Sequence, residues 1–214
     1  MLRTQTSRTI KIPVDVGYVE GILQLPTSPC GIVLFAHGSG SGRHSVRNNF
    51  VAGVLRDSRI ATLLFDLLTE DEALDRRNVF NINLLAERLL YATEFTRQST
   101  ETKALSIGYF GASTGAAAAL QASVMTETPI KAIVSRGGRP DLVMHILDKV
   151  RAPTLFIVGG NDFGILELNK EAYERVRVEK EFRIIEGATH LFEEPGKLEE
   201  VARLATAWFL RHLA

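Results

Sequence analysis

With 214 residues the chain has room for one well-buried core and not for two comfortable ones. Lys plus Arg and Asp plus Glu each number 25, so the formal charge is zero and there is no electrostatic footprint for DNA, RNA or an anionic membrane. The single cysteine, Cys30, rules out an internal disulfide and fits a reducing compartment.

Residues 1–8 hold no apolar run of signal-peptide length, and no stretch approaches the ~18 apolar residues of a membrane span, so the expected location is cytoplasmic. Segments 9–14 and 18–25 read as paired strands, turned at Asp15, Val16 and Gly17. The runs 31–36, 61–65, 104–110, 132–135, 154–158 and 182–185 are short, apolar and free of alternation, which suits strands covered on both faces. Helix-length segments lie between and after them: 46–57, 78–97, 113–125, 141–150, 165–176 and 197–213. Leu84, Leu85, Arg88, Leu89 and Ala92 mark one face of the second. Leu198, Val201, Leu204, Ala205, Trp208 and Phe209 mark the last, with Trp208 read as core. Asp66 and the acidic run Glu70, Asp71, Glu72 read as a solvated loop.

Repeated strand–helix units predict an α/β domain spanning 1–214: a mostly parallel sheet of about eight strands with helices on both faces. The segment 105–120 is the most informative part of it. An apolar strand runs into Gly111-Ala112-Ser113-Thr114-Gly115, and a helix of small residues leaves it. A Gly-x-Ser-x-Gly corner of that kind cramps the serine backbone and pushes the hydroxyl out over the sheet end, where a nucleophile must stand. The plainer alternative is a tight strand-to-helix turn with a solvent-facing serine.

A serine hydroxyl needs a base within hydrogen-bond reach and an acid to orient that base. In open α/β sheets such groups gather at the carboxyl ends of strands. His190 follows the last strand, in Gly187-Ala188-Thr189-His190, and is the candidate base. Two aspartates compete for the acid. Asp162 ends Gly159-Gly160-Asn161-Asp162, although Asn-Asp before a helix is also a capping signal. Asp141 follows the preceding strand, but Pro140-Asp141 reads as a helix opening, which favours Asp162. The five histidines are scattered singly, without Cys or carboxylate at ligand spacing, so neither a metal nor any other cofactor is expected.

On these residues, together with Phe35-Ala36-His37-Gly38-Ser39-Gly40, the chain resembles the α/β-hydrolases, and within them the small, uncapped dienelactone hydrolases. The resemblance covers nearly the whole length. It implies a Ser113–Asp162–His190 triad and an oxyanion hole from the backbone N–H groups of Ser39 and Thr114. It also implies a loop bent toward substrate by Gly38, Gly40 and Gly42, with Gly40 touching substrate and His37 bracing the loop. Dienelactone hydrolases carry a cysteine nucleophile; the serine here implies a general serine esterase instead.

No insertion separates the strand ending near Ser135 from the one starting near Thr154, so no lid domain is expected and the site should be open. The stretch 67–78 is the one long loop near the pocket and is expected to cover part of it. Arg136 and Arg139, with Arg43, His44 and Arg47, could attract a substrate carboxylate or could brace loops. The expected partner is a small-molecule ester, with no nucleic acid or membrane, and the protein a monomer or homodimer. Two other readings use the same pocket: acyl transfer to an acceptor other than water, and ligand binding without turnover.

Overall fold

Apolar strands without alternation must be covered on both faces, and here they lie at the centre of one eight-stranded sheet. The computed structural model describes residues 6–214; the first part of the N-terminal stretch read above, residues 1–5, lies outside the described residues. In chain order the strands are β1 (Thr6–Val14), β2 (Gly17–Leu25), β3 (Gly31–Ala36) and β4 (Ile60–Phe65). They continue as β5 (Ile107–Ala112), β6 (Ile130–Arg136), β7 (Thr154–Gly159) and β8 (Lys180–Ile185). The spatial order is β1-β2-β4-β3-β5-β6-β7-β8. β1 with β2, and β2 with β4, run antiparallel; every other pair is parallel. All residues of β3, β4, β5 and β7 are buried.

Two apolar layers cover the sheet. On one face α1 (Val46–Asp57) contributes Val51, Ala52 and Leu55, and α6 (Lys197–Leu213) contributes Val201, Ala205, Trp208 and Phe209. On the other lie α3 (Ile82–Gln98), α4 (Thr114–Met125) and α5 (Phe163–Arg175), through residues such as Leu85, Leu89, Ala118, Leu120 and Ala172. Trp208 is in the core as expected, 4% exposed. Among the described residues no helix is long and apolar enough to cross a membrane.

The structure departs from the sequence expectations in three segments. The acidic run is not a loop but α2 (Glu70–Leu74), on which Glu70 and Asp71 are exposed and Glu72 is half-buried. Thr69 caps it, accepting from Glu72 N while the Glu72 carboxylate accepts from Thr69 N, and three carboxylates in the first turn suit the helix dipole. Arg88, 1% exposed on α3, then grips the Glu72 carboxylate and pairs with Asp15 at 2.7 Å. Asp66 is likewise half-buried and bound by Arg43. The helix expected over 78–97 divides: a 3₁₀ turn (Arg76–Phe80) precedes α3, because Asn81 interrupts the run and caps the next helix through Leu84 N. The segment expected as a helix at 141–150 is a 3₁₀ stretch (Pro140–Lys149), broken where Val143 leaves helical geometry at φ −136°. That short stretch is all that connects β6 to β7, so no lid domain stands over the sheet there.

Candidate active site

β5 ends at Ala112 and α4 begins at Thr114, leaving Ser113 alone at the corner with φ 52° and ψ −121°. An L residue is strained there by roughly 1–3 kcal/mol, so the surroundings must enforce the geometry. They do so through the backbone: Ser113 N donates to Arg136 O at 3.1 Å, and Ser113 O accepts from Arg139 N at 3.1 Å and Ala116 N at 3.0 Å. Ser113 makes no side-chain cap to α4, so the helix does not occupy its hydroxyl.

The flanking glycines are required by proximity. A Cβ on Gly115 would run into the carbonyl oxygens of Ala36 and His37, and one on Gly111 would lie 2.7 Å from Gly115 O. The obstacles are backbone atoms, which cannot step aside. Gly115→Ala should therefore cost about 3 kcal/mol, at the upper end of overpacking penalties, and lower the urea midpoint at unchanged m.

The loops after β7 and β8 are stitched together. Gly160 N donates to Ile185 O and Asn161 N to Ala188 O, both at 2.9 Å. This places Asp162 beside His190, whose Nδ1–H donates to Asp162 Oδ2 at 2.6 Å. Asp162 stands at the N-cap of α5 yet makes no capping bond. Its carboxylate serves the imidazole instead. The competing Asp141 is held by Arg139, through Nε at 2.8 Å and Nη2 at 2.7 Å. Gly137 lies against the His190 ring, and a Cβ there would come within 3.4 Å of Cε1. Among the described residues no hydrogen bond joins the Ser113 hydroxyl to His190, whose ring bonds only Asp162. Such contacts often tighten only when substrate is bound.

Thr114 is the first residue of α4, so its N–H has no acceptor within the helix. Ser39 lies in the loop after β3, where Gly40 takes φ 69° and Ser41 N donates to Gly38 O at 3.2 Å. His37 ties this loop to the exit of β4. Its Nε2 accepts from Leu67 N at 3.0 Å, and its Nδ1–H donates to Gly38 O at 2.9 Å. Only a neutral ring can do both, and burial lowers its pKa from the usual histidine value.

Ser39, Gly40 and Thr114 open onto a cavity of about 610 Å³. Its far wall is the stretch between β4 and α3, including Leu67, Leu68, Ala73, Arg76, Val79 and Phe80. The long loop thus borders the pocket as expected, but as a folded wall. Ser113, Asp162 and His190 are not among the residues lining this cavity.

A crystal structure of a dienelactone hydrolase from Anabaena variabilis has the same fold, with a TM-score of 0.95 and 47% identity over 98% of this chain and 99% of that one. The chain belongs to the dienelactone hydrolase family. Two proteins from strains of Mycobacterium tuberculosis, each named a putative phosphoribosyl transferase, are 52% identical over 212 residues. The chain spans about half the length of these curated relatives, 47% of each. Est1E from Butyrivibrio proteoclasticus shares the fold at a TM-score of 0.81 and 16% identity, over 95% of this chain and 98% of that one. No family model matches the chain.

The sequence pointed to a set of cations near the site, and most prove to be committed. Arg43 binds Asp66 and Glu20, Arg139 binds Asp141, and Arg47 binds Glu193. Arg136 is buried and makes no ion pair or hydrogen bond through Nε or Nη1 among the described residues. The residue pattern read at first missed the clamp of Arg88 on Glu72 that holds the pocket wall. Half of it was legible: Thr69-x-x-Glu72 is a capping box. The Arg88 side of it was not, because an arginine on an apolar helix face does not announce its partner.

Proposed function

We propose that the protein is a serine hydrolase of carboxylic esters. The observation that carries this reading is the 2.6 Å bond between His190 Nδ1 and Asp162 Oδ2 at the carboxyl ends of β7 and β8, in a sheet whose β5 leads into a serine held at φ 52°. The fold shared with hydrolases supports it. In this mechanism His190 Nε2 accepts the Ser113 proton as Oγ attacks the acyl carbon. Asp162 holds the ring with Nδ1 protonated and balances the imidazolium. The N–H groups of Thr114 and Ser39 stabilise the negative oxygen of the tetrahedral intermediate, at roughly 3 kcal/mol per donor.

Collapse of that intermediate breaks the ester C–O bond, and His190 returns the proton to the departing alcohol. Water then repeats the sequence on the acyl-enzyme and frees the acid. The cavity beyond Ser39 and Thr114 supports a small-molecule substrate with an apolar group facing Leu67, Val79 and Phe80. No step needs a cofactor. The M. tuberculosis relatives are longer, and this reading concerns the half that the chain matches.

Intact mass after treatment with a small fluorophosphonate tests the proposal. One adduct on the wild type and none on Ser113→Ala is expected. An unmodified, folded wild type would mean that Ser113 is not activated and would overturn it.

A further inference from the structure

The cavity wall between β4 and α3 is folded, yet it has no buried core of its own. No residue of α2 or of the 3₁₀ turn after it is buried. Leu74 is 82% exposed, and Phe80, which lines the cavity, 57%. A helix of five residues is not stable alone in water. Burial therefore does not explain why 70–80 stays against the pocket.

Polar contacts do, and they converge on Glu72. Its carboxylate accepts from Thr69 N at 2.9 Å, and its own N–H donates to Thr69 Oγ1 at 3.2 Å, which closes the capping box. Its carbonyl oxygen accepts from Asn78 Nδ2 at 2.8 Å and so ties the helix to the 3₁₀ turn. The carboxylate also accepts from Arg88 Nε at 3.3 Å and from Arg88 Nη2. Among the described residues, the other side-chain hydrogen bonds and ion pairs of 70–80 stay within the segment, between Asp75 and Arg77. Arg88 is buried on α3 and pairs with Asp15, in the turn between β1 and β2, at 2.7 Å. One carboxylate thus links the wall to the body of the protein. A buried arginine adds little net stability, because desolvation offsets much of its attraction for a carboxylate. What it supplies is a fixed place for the group it holds.

We propose that Glu72 is a positioning residue for substrate selection: pinned by Arg88, it holds 70–80 as a hinged wall that closes on an apolar chain of the ester. The cavity behind that wall, about 610 Å³ and lined by Leu67, Leu68, Ala73, Val79, Phe80 and Leu85, suits a chain longer than acetyl. Release of the carboxylate lets the wall swing away, and the chain loses its cover. The choice of an ester chain rests on the ester-hydrolase reading; the pinning of the wall does not.

Limited trypsin digestion of the native protein reads the pin without catalysis. Arg76 and Arg77 lie in the 3₁₀ turn, the Arg77 side chain 90% exposed, and a protease cuts there when the turn opens. Glu72→Gln keeps an acceptor for Thr69 N but loses the charge that Arg88 grips. Cleavage after Arg76 and Arg77 should be about tenfold faster in Glu72→Gln and faster still in Glu72→Ala, with cleavage after Arg203 in α6 at the wild-type rate. The second measurement is kcat/KM for nitrophenyl octanoate relative to nitrophenyl acetate. That ratio should fall roughly tenfold in Glu72→Gln, equivalent to about two buried methylenes, and through the KM of the octanoate rather than through kcat. Wild-type cleavage rates in both variants overturn the pin. Faster cleavage with an unchanged ratio overturns the role in selection. If the wild type turns over neither ester, the hydrolase reading fails, and 1-octanol then serves as the probe. Slower wild-type cleavage in its presence, with the effect lost in Glu72→Ala, supports a wall that closes on an apolar chain, and no slowing overturns it.

Discussion

Ser113→Ala should reduce ester turnover by roughly a millionfold, to the background left by binding and the oxyanion donors. The expectation follows from the division of labour proposed for the site. Asp162 and His190 can prepare a base, but without a hydroxyl at the corner there is no covalent intermediate for them to serve. The measurement is kcat on a nitrophenyl ester, with circular dichroism and melting as controls. Stability should barely change, since alanine inherits the same backbone strain. Ser113→Gly adds a sharper test. Glycine relieves about 1–3 kcal/mol of strain at φ 52° and loses roughly 0.4–1 kcal/mol through a freer unfolded chain. That variant should be inactive and yet more stable than wild type by about 1 kcal/mol, as expected where strain is kept for chemistry. Retained turnover in either variant would remove Ser113 from the mechanism.

Asp162→Asn should lower kcat about 10⁴-fold while leaving the fold intact. The carboxylate accepts from His190 Nδ1–H at 2.6 Å and makes no cap to α5, so its loss costs the helix nothing. An asparagine amide can instead donate to Nδ1. That selects the tautomer with the proton on Nε2, which cannot accept one from Ser113. Asp141→Asn is the matched control. It disturbs only the pair with Arg139 and should leave kcat within about threefold, the size of a partly exposed ion pair. Equal losses in the two variants would make the effect one of charge near the site, and an unaffected Asp162→Asn would put the acid elsewhere.

Much of the candidate site was legible because its signals are local. The elbow needs a serine between glycines at a strand-to-helix corner, and those residues are adjacent in the chain. His190 and Asp162 each follow their own apolar strand. The choice between Asp162 and Asp141 was not legible in that way. Each follows a strand and precedes a helical segment, and only the stitching of Asn161 to Ala188 brings one of them to the imidazole. The stretch 66–80 misled for a similar reason. Asp66 and Glu72 look solvated until Arg43 and Arg88 arrive from elsewhere in the chain.

Taken alone, the sequence determined the α/β layering, the place of the elbow, and the serine and histidine of the proposed triad. Each depends on hydrophobic period or on neighbours within a few residues, where sterics and capping decide the outcome. The tertiary structure decided which carboxylate meets His190, that the pocket wall is folded, and that Arg136 is buried without a carboxylate partner among the described residues. Charged side chains reach far and choose among several partners of similar local appeal. Their pairing is settled by which strand ends and loops the sheet order brings together, and that order is a property of the whole chain.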